Sequence, residues 1–384
     1  MIDIKEKTQC CGCASCVQRC PKQCISLKED TEGFLYPVVD KENCIDCGLC
    51  ERVCPILHRN KARTPLKVYA AKHMSEEIRM KSSSGGIFTL LAEQILNEGG
   101  VVFGARFDES WDVIHDYTET KDGLKSFRGS KYVQSRISYT FKKVESFLKD
   151  GRMVMFTATP CQIAGLKSFL RKEYDNLLAV DIVCHGVPSP LVWREYLQYT
   201  KKKEEITSIN FRDKTESWKE YRMNIKGKNN LIVKESFFYN IYMRGFLKDL
   251  YLRPSCYNCS FKSNRSDSDI TLGDFWGINH HMPDFDDDKG VSLVLLQSQK
   301  GIEYYNSVAP NHIETEYNIA LAGNPAIEQS AKCNLKYRKL FWCTEDKIGD
   351  MPYIISSMRP SIIRRGFGFM KHIINKIITK MKLG

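Results

Sequence analysis

The chain has 384 residues, 42% of them hydrophobic, a formal net charge of +11 and sixteen cysteines. Seven Lys/Arg and no acid fall between Met351 and Gly384, leaving only +4 over the other 350 residues, so the body is no general nucleic-acid binder. Charged residues directly after Met1 and the lack of any run of ~20 apolar residues exclude a secretory signal and a membrane-spanning helix, so the thiols read as metal ligands in a reducing cytoplasm.

Residues 1–60 form a ferredoxin-type module. Cys10, Cys13, Cys16 and Cys20, followed by Pro21, recur 34 positions later as Cys44, Cys47, Cys50 and Cys54, followed by Pro55. Each ladder reads Cys-x2-Cys-x2-Cys-x3-Cys-Pro, the spacing that holds a [4Fe–4S] cubane in bacterial-type ferredoxins. In that arrangement the fourth cysteine of each ladder serves the other cluster. One cluster then uses Cys10, Cys13, Cys16 and Cys54, and the other Cys44, Cys47, Cys50 and Cys20. A structural zinc pair is the competing reading, but zinc has no use for the third Cys-x2 step.

Residues 66–340 alternate helical and strand patterns, which imply a mixed α/β domain with a parallel βαβ core behind an α+β module. The expected elements are helix 84–97, strand 101–107, helix 137–149, strand 153–157, helix 162–171, strand 177–183 and helix 191–202. Short strands at 206–211, 221–225 and 231–234, a helix at 236–247 and apolar strands at 270–272 and 291–297 complete the domain.

Cys161 follows one parallel strand and Cys184 ends the next, which puts both at the carboxyl edge where open α/β sheets bind ligands. Cys256 and Cys259, a Cys-x2-Cys pair, could complete four ligands for a third cluster. The alternative is two buried core cysteines plus a separate zinc or redox pair. Cys11, Cys24, Cys333 and Cys343 lie off these registers and read as packing residues.

Three polar turns suit a cofactor. Lys81–Gly86, at the start of a helix, offers free N–H groups to a phosphate, although Ser-rich helix caps are common for other reasons. Gly129–Val133 offers a cation, an aromatic face and a hydroxyl in a turn leading into a helix. Thr271–Gly277 sets an acid and two aromatics between glycines, which fits a planar ring or simply a packed corner. His280 and His281 read as surface residues.

Ser-Ser-Gly-Gly (83–86), Gly-Ser-Lys-Tyr-Val-Gln-Ser (129–135), Thr-Pro-Cys-Gln-Ile-Ala-Gly-Leu (159–166) and Cys-His-Gly-Val-Pro-Ser-Pro (184–190) occur in that order. With Cys256–Cys259, Gly-Asp-Phe-Trp-Gly (273–277) and Lys-Gly-Val-Ser-Leu-Val (289–294), the chain resembles the family of coenzyme F420 hydrogenase/dehydrogenase beta subunits over roughly residues 66–310. The resemblance implies an iron–sulfur flavoprotein with FAD and a cluster in one α/β domain. It supports the third cluster on Cys161, Cys184, Cys256 and Cys259. It makes Ser83, Ser84, Gly85, Gly86, Ser130, Lys131 and Tyr132 candidates for FAD contact, with Thr159, Pro160 and Asp274 beside them.

The function these parts imply is a relay between clusters that pass single electrons and FAD, which also exchanges two. Its partners would be a redox protein such as ferredoxin and a small-molecule hydride or electron acceptor, coenzyme F420 or another reducible compound. A non-catalytic electron-transfer subunit of a larger complex and a structural iron–sulfur adaptor are the competing readings. No single catalytic side chain is assigned.

Residues 351–384 read as a basic tail. Met370, Ile373, Ile374, Ile377, Ile378 and Met381 form an apolar stripe, with Lys371, His372, Lys376, Lys380 and Lys382 elsewhere. Such a helix would lie on a membrane surface or dock on the core.

Overall fold

The two cysteine ladders fold as two copies of one local device. Helices Ser15–Arg19 and Leu49–Arg52 each follow a left-handed residue, Ala14 at φ 63° and Gly48 at φ 67°. These residues sit 34 positions apart, so the sequence repeat is also a backbone repeat. Strands β1 (Ile25–Glu29) and β2 (Leu35–Val39) close the module as an antiparallel hairpin with Ile25 opposite Val39. The computed structural model describes residues 1–201 and 204–358.

The main domain adds strands β3 (Lys67–Lys72), β4 (Val101–Phe107), β5 (Val113–Thr118), β6 (Val154–Ala158) and β7 (Leu177–Ile182). It continues with β8 (Ile206–Asp213), β9 (Arg222–Gly227), β10 (Leu231–Ser236), β11 (Ile270–Asp274), β12 (Ser292–Leu296) and β13 (Asn311–Glu314). Eight of these form one sheet in the order β13-β3-β12-β11-β7-β6-β4-β5. Its centre, β11-β7-β6-β4, is parallel, and antiparallel strands flank it on both sides. The expected parallel core is therefore present within a mixed sheet. β8, β9 and β10 form a separate antiparallel sheet.

Both faces of the large sheet are covered. Val101, Phe103, Val154, Phe156, Leu177 and Ala179 pack against Phe141, Val144, Ile163, Leu166 and Phe169 of helices Thr140–Lys149 and Pro160–Leu170. The alternate residues Val102, Met155, Leu178 and Val180 pack on the opposite side against Ile87, Leu91 and Ile95 of helix Ile87–Asn97. All five residues of β12 and the first five of β7 are buried, which is why Leu293–Leu296 and Leu177–Val180 read as apolar runs beside the buried Ser292 and Asp181.

Several elements depart from expectation. β5 carries His115 and Asp116 at mid-strand, and β13 is exposed at all four residues. Neither shows the alternation that marks a half-buried strand, and β3 is a short edge-side partner of both β12 and β13. The Gly129–Val133 turn does not enter a helix; Arg136 bridges Ile114 beside β5, and the helix begins at Thr140. Helix Leu335–Cys343 crosses the domain end expected at residue 340.

The span read as a tail also begins too early. Residues 351–357 are the second part of helix Lys347–Ser357, with Met351, Ile354 and Ile355 buried in the core around Trp193 and Tyr242. The Met370–Met381 stripe lies outside the described residues. Among the described residues, no helix is long and apolar enough to cross a membrane.

Candidate functional site

The first ladder's thiols gather where the module meets the main domain. Burial pushes the Cys16 thiol up most, and Cys13, Cys10 and Cys54 act on it electrostatically in the same direction. The same burial and the same neighbours, Cys13 and Cys10, raise Cys54 to about 11. Cys13 adds to the rise of Cys10, Cys16 and Cys54, whereas its own hydrogen bond with Cys11 lowers it to about 6. The three raised thiols deprotonate together only beside a multivalent positive charge, which an iron–sulfur core would supply. Cys20, Cys44, Cys47 and Cys50 line a small void of about 20 Å³ at the outer end of the module, with Cys47 exposed to solvent. The structure thus brings Cys54 beside Cys10, Cys13 and Cys16, and Cys20 beside Cys44, Cys47 and Cys50.

Cys13 reaches the main domain through a glycine. A Cβ on Gly165 would stand 2.6 Å from Cys13 Cβ, and the Ser15 hydroxyl donates to the Gly165 carbonyl at 2.8 Å. Any side chain there would separate helix Ser15–Arg19 from helix Pro160–Leu170, which carries Cys161. Cys11, Cys13, Ala164 and Phe261 form one buried cluster against which Cys161 and Cys259 pack. Cys11 therefore packs, as expected, but between the two thiol groups.

Cys161, Cys184, Cys256 and Cys259 converge from three separate segments. Burial pushes Cys184 well above its ordinary value, opposed by the nearby Lys262 cation and reinforced by Cys256, Cys161 and Cys259. Burial likewise raises Cys256 to about 12, with Cys259 and Cys161 adding to it. The Lys262 ammonium donates to the Cys184 and Ala326 carbonyls, each at 2.6 Å. The Val187 N–H points at Cys256 Sγ from 3.4 Å. Among the described residues, no three His, Cys, Asp or Glu side chains surround a point tightly enough for a single metal ion.

A cavity of about 870 Å³ opens at the carboxyl edge of the parallel strands. Ser83, Ser84, Gly86, Ser130, Lys131, Tyr132, Thr159 and Asp274 line it, and so does Cys184. The two polar turns meet there: Ser83 Oγ accepts from the Ser130 N–H at 2.6 Å and from its hydroxyl at 2.9 Å. Gly85 and Pro160 do not line the cavity. Gly85 lies against the backbone of Ala71 and Ser292, where a Cβ would come within 2.3 Å of the Ala71 oxygen. Pro160 opens the helix that Thr159 and Gln162 cap reciprocally.

The polar groups of the cavity are pre-set. Burial lowers the Lys131 ammonium to about 7, while the carbonyls of Ser126, Arg128 and Gly129 accept its protons at 2.9–3.2 Å. Asp274 accepts from Arg212 at 2.9 Å and from Trp218 Nε1 at 3.1 Å, and Arg212 also donates to the Tyr132 hydroxyl. Trp218 and Trp276 stack with centroids 4.9 Å apart, and the Arg212 guanidinium lies 4.0 Å over the Tyr221 ring. His115 bonds the Thr157 carbonyl through Nε2, while its buried Nδ1 and the Arg212 Nε have no partner among the described residues. Burial holds His115 neutral by lowering it to about 4.

Arg212, Trp218, His115, Lys262, Gln134 and Arg253 escaped the sequence reading. Buried cations and surface cations look alike in a sequence, although Arg253 and Lys262 stand three residues either side of the Cys256–Cys259 motif and Gln134 lies within the 129–135 motif. His280 and His281 are exposed, as expected.

The family described as "Coenzyme F420 hydrogenase/dehydrogenase, beta subunit" matches in two parts, its N-terminal portion over residues 68–142 and its C-terminal portion over residues 151–319. A 4Fe–4S dicluster domain matches residues 9–56. An F(420)H(2) dehydrogenase subunit of Methanosarcina mazei is 22% identical over 325 residues, covering 80% of this chain and 84% of the relative. A 7Fe ferredoxin of Hydrogenibacillus schlegelii is 49% identical over 43 residues, which is 11% of this chain and 49% of that protein. A chain of the F420-reducing [NiFe] hydrogenase complex from Methanosarcina barkeri aligns at TM-score 0.46 and 17% identity, covering 77% of this chain and 93% of its own. With both halves matched in order behind an iron–sulfur dicluster module, the chain belongs to the family of coenzyme F420 hydrogenase/dehydrogenase beta subunits.

Proposed function

We propose that this iron–sulfur oxidoreductase relays electrons between three [4Fe–4S] clusters and an FAD held in the cavity, to or from a two-electron small-molecule acceptor. One observation carries the reading: Cys184 belongs to the four-thiol group and also forms part of the cavity wall. A cluster on Cys161, Cys184, Cys256 and Cys259 would then border any ring bound in the cavity. The cavity volume falls within the ~300–1,000 Å³ common for cofactor sites.

The residues present fit FAD. Ser83, Ser84 and Ser130, with the N–H groups that begin helix Ile87–Asn97, suit a pyrophosphate. Lys131 would add a cation to that end, and Tyr132 and Trp276 offer aromatic faces. The unpartnered His115 Nδ1 is an acceptor for a ring N–H. When bound, FAD would supply the exchange between single electrons and a hydride. The protein's share is to orient the ring, exclude water and set the local charge through Arg212, Asp274 and Lys131.

The donor would be a redox protein of ferredoxin type, and the acceptor coenzyme F420 or another reducible small molecule. The name of the M. mazei relative, which is one component of a dehydrogenase, favours a second reading in which this chain only transfers electrons within a larger complex.

Anaerobic purification with iron, sulfide and flavin counted per chain tests the arrangement. The expected result is about twelve iron atoms and one flavin, at four iron per cubane. Eight iron and one flavin would remove the third cluster, and no flavin would remove the relay. Turnover with reduced ferredoxin or dithionite across deazaflavin and enone acceptors separates the enzyme from the electron-transfer reading; none at all favours the latter.

A further inference from the structure

Arg253 is among the most deeply buried cations of the protein, 1% exposed. Its Nε donates to the Cys10 carbonyl at 2.8 Å and its Nη1 to Gln134 Oε1 at 3.0 Å. Its Nη2 donates to the Leu35 carbonyl at 2.9 Å and points at Cys10 Sγ from 3.6 Å. The guanidinium also lies 4.3 Å over the Tyr36 ring. Among the described residues, Arg253 makes no ion pair with a carboxylate. A buried charge without a counter-charge is costly, and proteins retain one where an anion belongs. The candidate anion is a cluster whose four thiolates outweigh the positive charge of its core.

Among the described residues, the second quartet has no such cation. The Met1 ammonium near it is paired to Asp46 and Glu51, each at 3.2 Å. Arg52 donates to the Cys47 carbonyl at 3.1 Å from an exposed position, and Lys22 is likewise exposed, so water and salt screen both. Burial alone would make a cluster on Cys10, Cys13, Cys16 and Cys54 harder to reduce, because reduction adds negative charge. A guanidinium 3.6 Å from a ligand sulfur acts in the opposite direction through the same weakly screened interior. An N–H directed at a ligand sulfur also raises the potential.

We infer that Arg253 is the built-in counter-cation of the cluster at Cys10, Cys13, Cys16 and Cys54, and that it sets that cluster's reduction potential above that of the cluster at Cys20, Cys44, Cys47 and Cys50. The first electron taken up by the module then resides on the cluster beside the main domain. Each reduction takes one electron from the reductant and makes or breaks no bond. Arg253 is a positioning residue that touches a ligand, and the inference rests on the assignment of the first quartet to one cluster.

A dithionite titration of the full chain, loaded with clusters under anaerobic conditions and followed by electron paramagnetic resonance, tests it. The native protein should show two separated module waves, the more positive one surviving in Cys47→Ser. In Arg253→Gln, at unchanged iron content, that wave should shift to lower potential, and Arg253→Lys should recover part of the shift. Gln134→Glu sets a carboxylate against Nη1 with little change of shape, and should produce a smaller shift of the same sign. This variant decides the question if Arg253→Gln fails to retain iron. Unmoved waves in an iron-replete Arg253→Gln or in Gln134→Glu would overturn the inference. A native chain lacking the iron for the first quartet would instead overturn the ligand assignment beneath it.

Discussion

The ferredoxin module and the main domain both gather cysteines, over very different lengths of chain. In the module, each ladder is closed by a short loop, and the left-handed residues Ala14 and Gly48 turn both copies alike. In the main domain, Cys161, Cys184, Cys256 and Cys259 meet only because β6 and β7 are parallel neighbours and the Pro254–Asn258 turn packs over their carboxyl ends. A local site needs little loop closure, whereas a dispersed one forms only after the sheet has ordered its contributors. Damage to the sheet should therefore abolish the second kind of site and spare the first.

The most severe test is at the junction. Gly165→Leu would drive a side chain into Cys13 and Ser15, and should destabilise the protein by about 3 kcal/mol. Urea unfolding should reveal that loss, with the cluster at Cys13 suffering more than the one at Cys47. Equal loss of both clusters would break the distinction between junction and outer end.

Cys184→Ser should remove about four iron atoms and leave about eight in the module. The module's paramagnetic signals should persist, which iron analysis and spectroscopy together would show. If all the iron is lost, the two regions do not assemble independently.

Ser83→Asp places a carboxylate where a phosphate is proposed, beside Ser130. Flavin retention should fall about tenfold or more, in keeping with the loss of one or two polar contacts. Iron content should stay constant, so flavin and iron measured on one sample separate cavity from clusters.

The last effect concerns acid and is spread over more than two pH units. Burial lowers His115 to about 4, below its ordinary value near 6.5, so the unfolded chain binds that proton more readily. The stability His115 contributes is present above pH 6.5 and is lost as pH falls toward 4, roughly 3 kcal/mol in all. His115→Phe should flatten the stability profile in that window, as read by denaturant midpoints at successive pH values. An unchanged slope would mean that the neutral imidazole is not what couples the cavity wall to pH.

Much of this was legible from residue order. The ladders could be read because their cysteines recur at one spacing in two copies, and the central strands because burial on both faces leaves continuous apolar runs such as 293–296. β5 and β13 were not, since His115 and Asp116 interrupt one and the other is exposed throughout. The end of the domain was misread because Met351, Ile354 and Ile355 sit in a helix with an internal proline, Pro352, beside a run of basic residues. Gly85 and Pro160 belong to the right motifs but serve packing and capping, roles that a motif shares with ligand contact.

Residue types and their spacing alone pointed to a two-cluster module, because three cysteines of each quartet are neighbours along the chain and the fourth comes from the other copy of the repeat. The alternation of strands and helices specified the parallel core for a similar reason: periodicity is a property of the chain itself. The wall shared by Cys184 and the cavity, the orphaned His115 nitrogen and the carboxylate-free burial of Arg253 depended on folding, since burial and charge pairing arise between segments far apart in sequence.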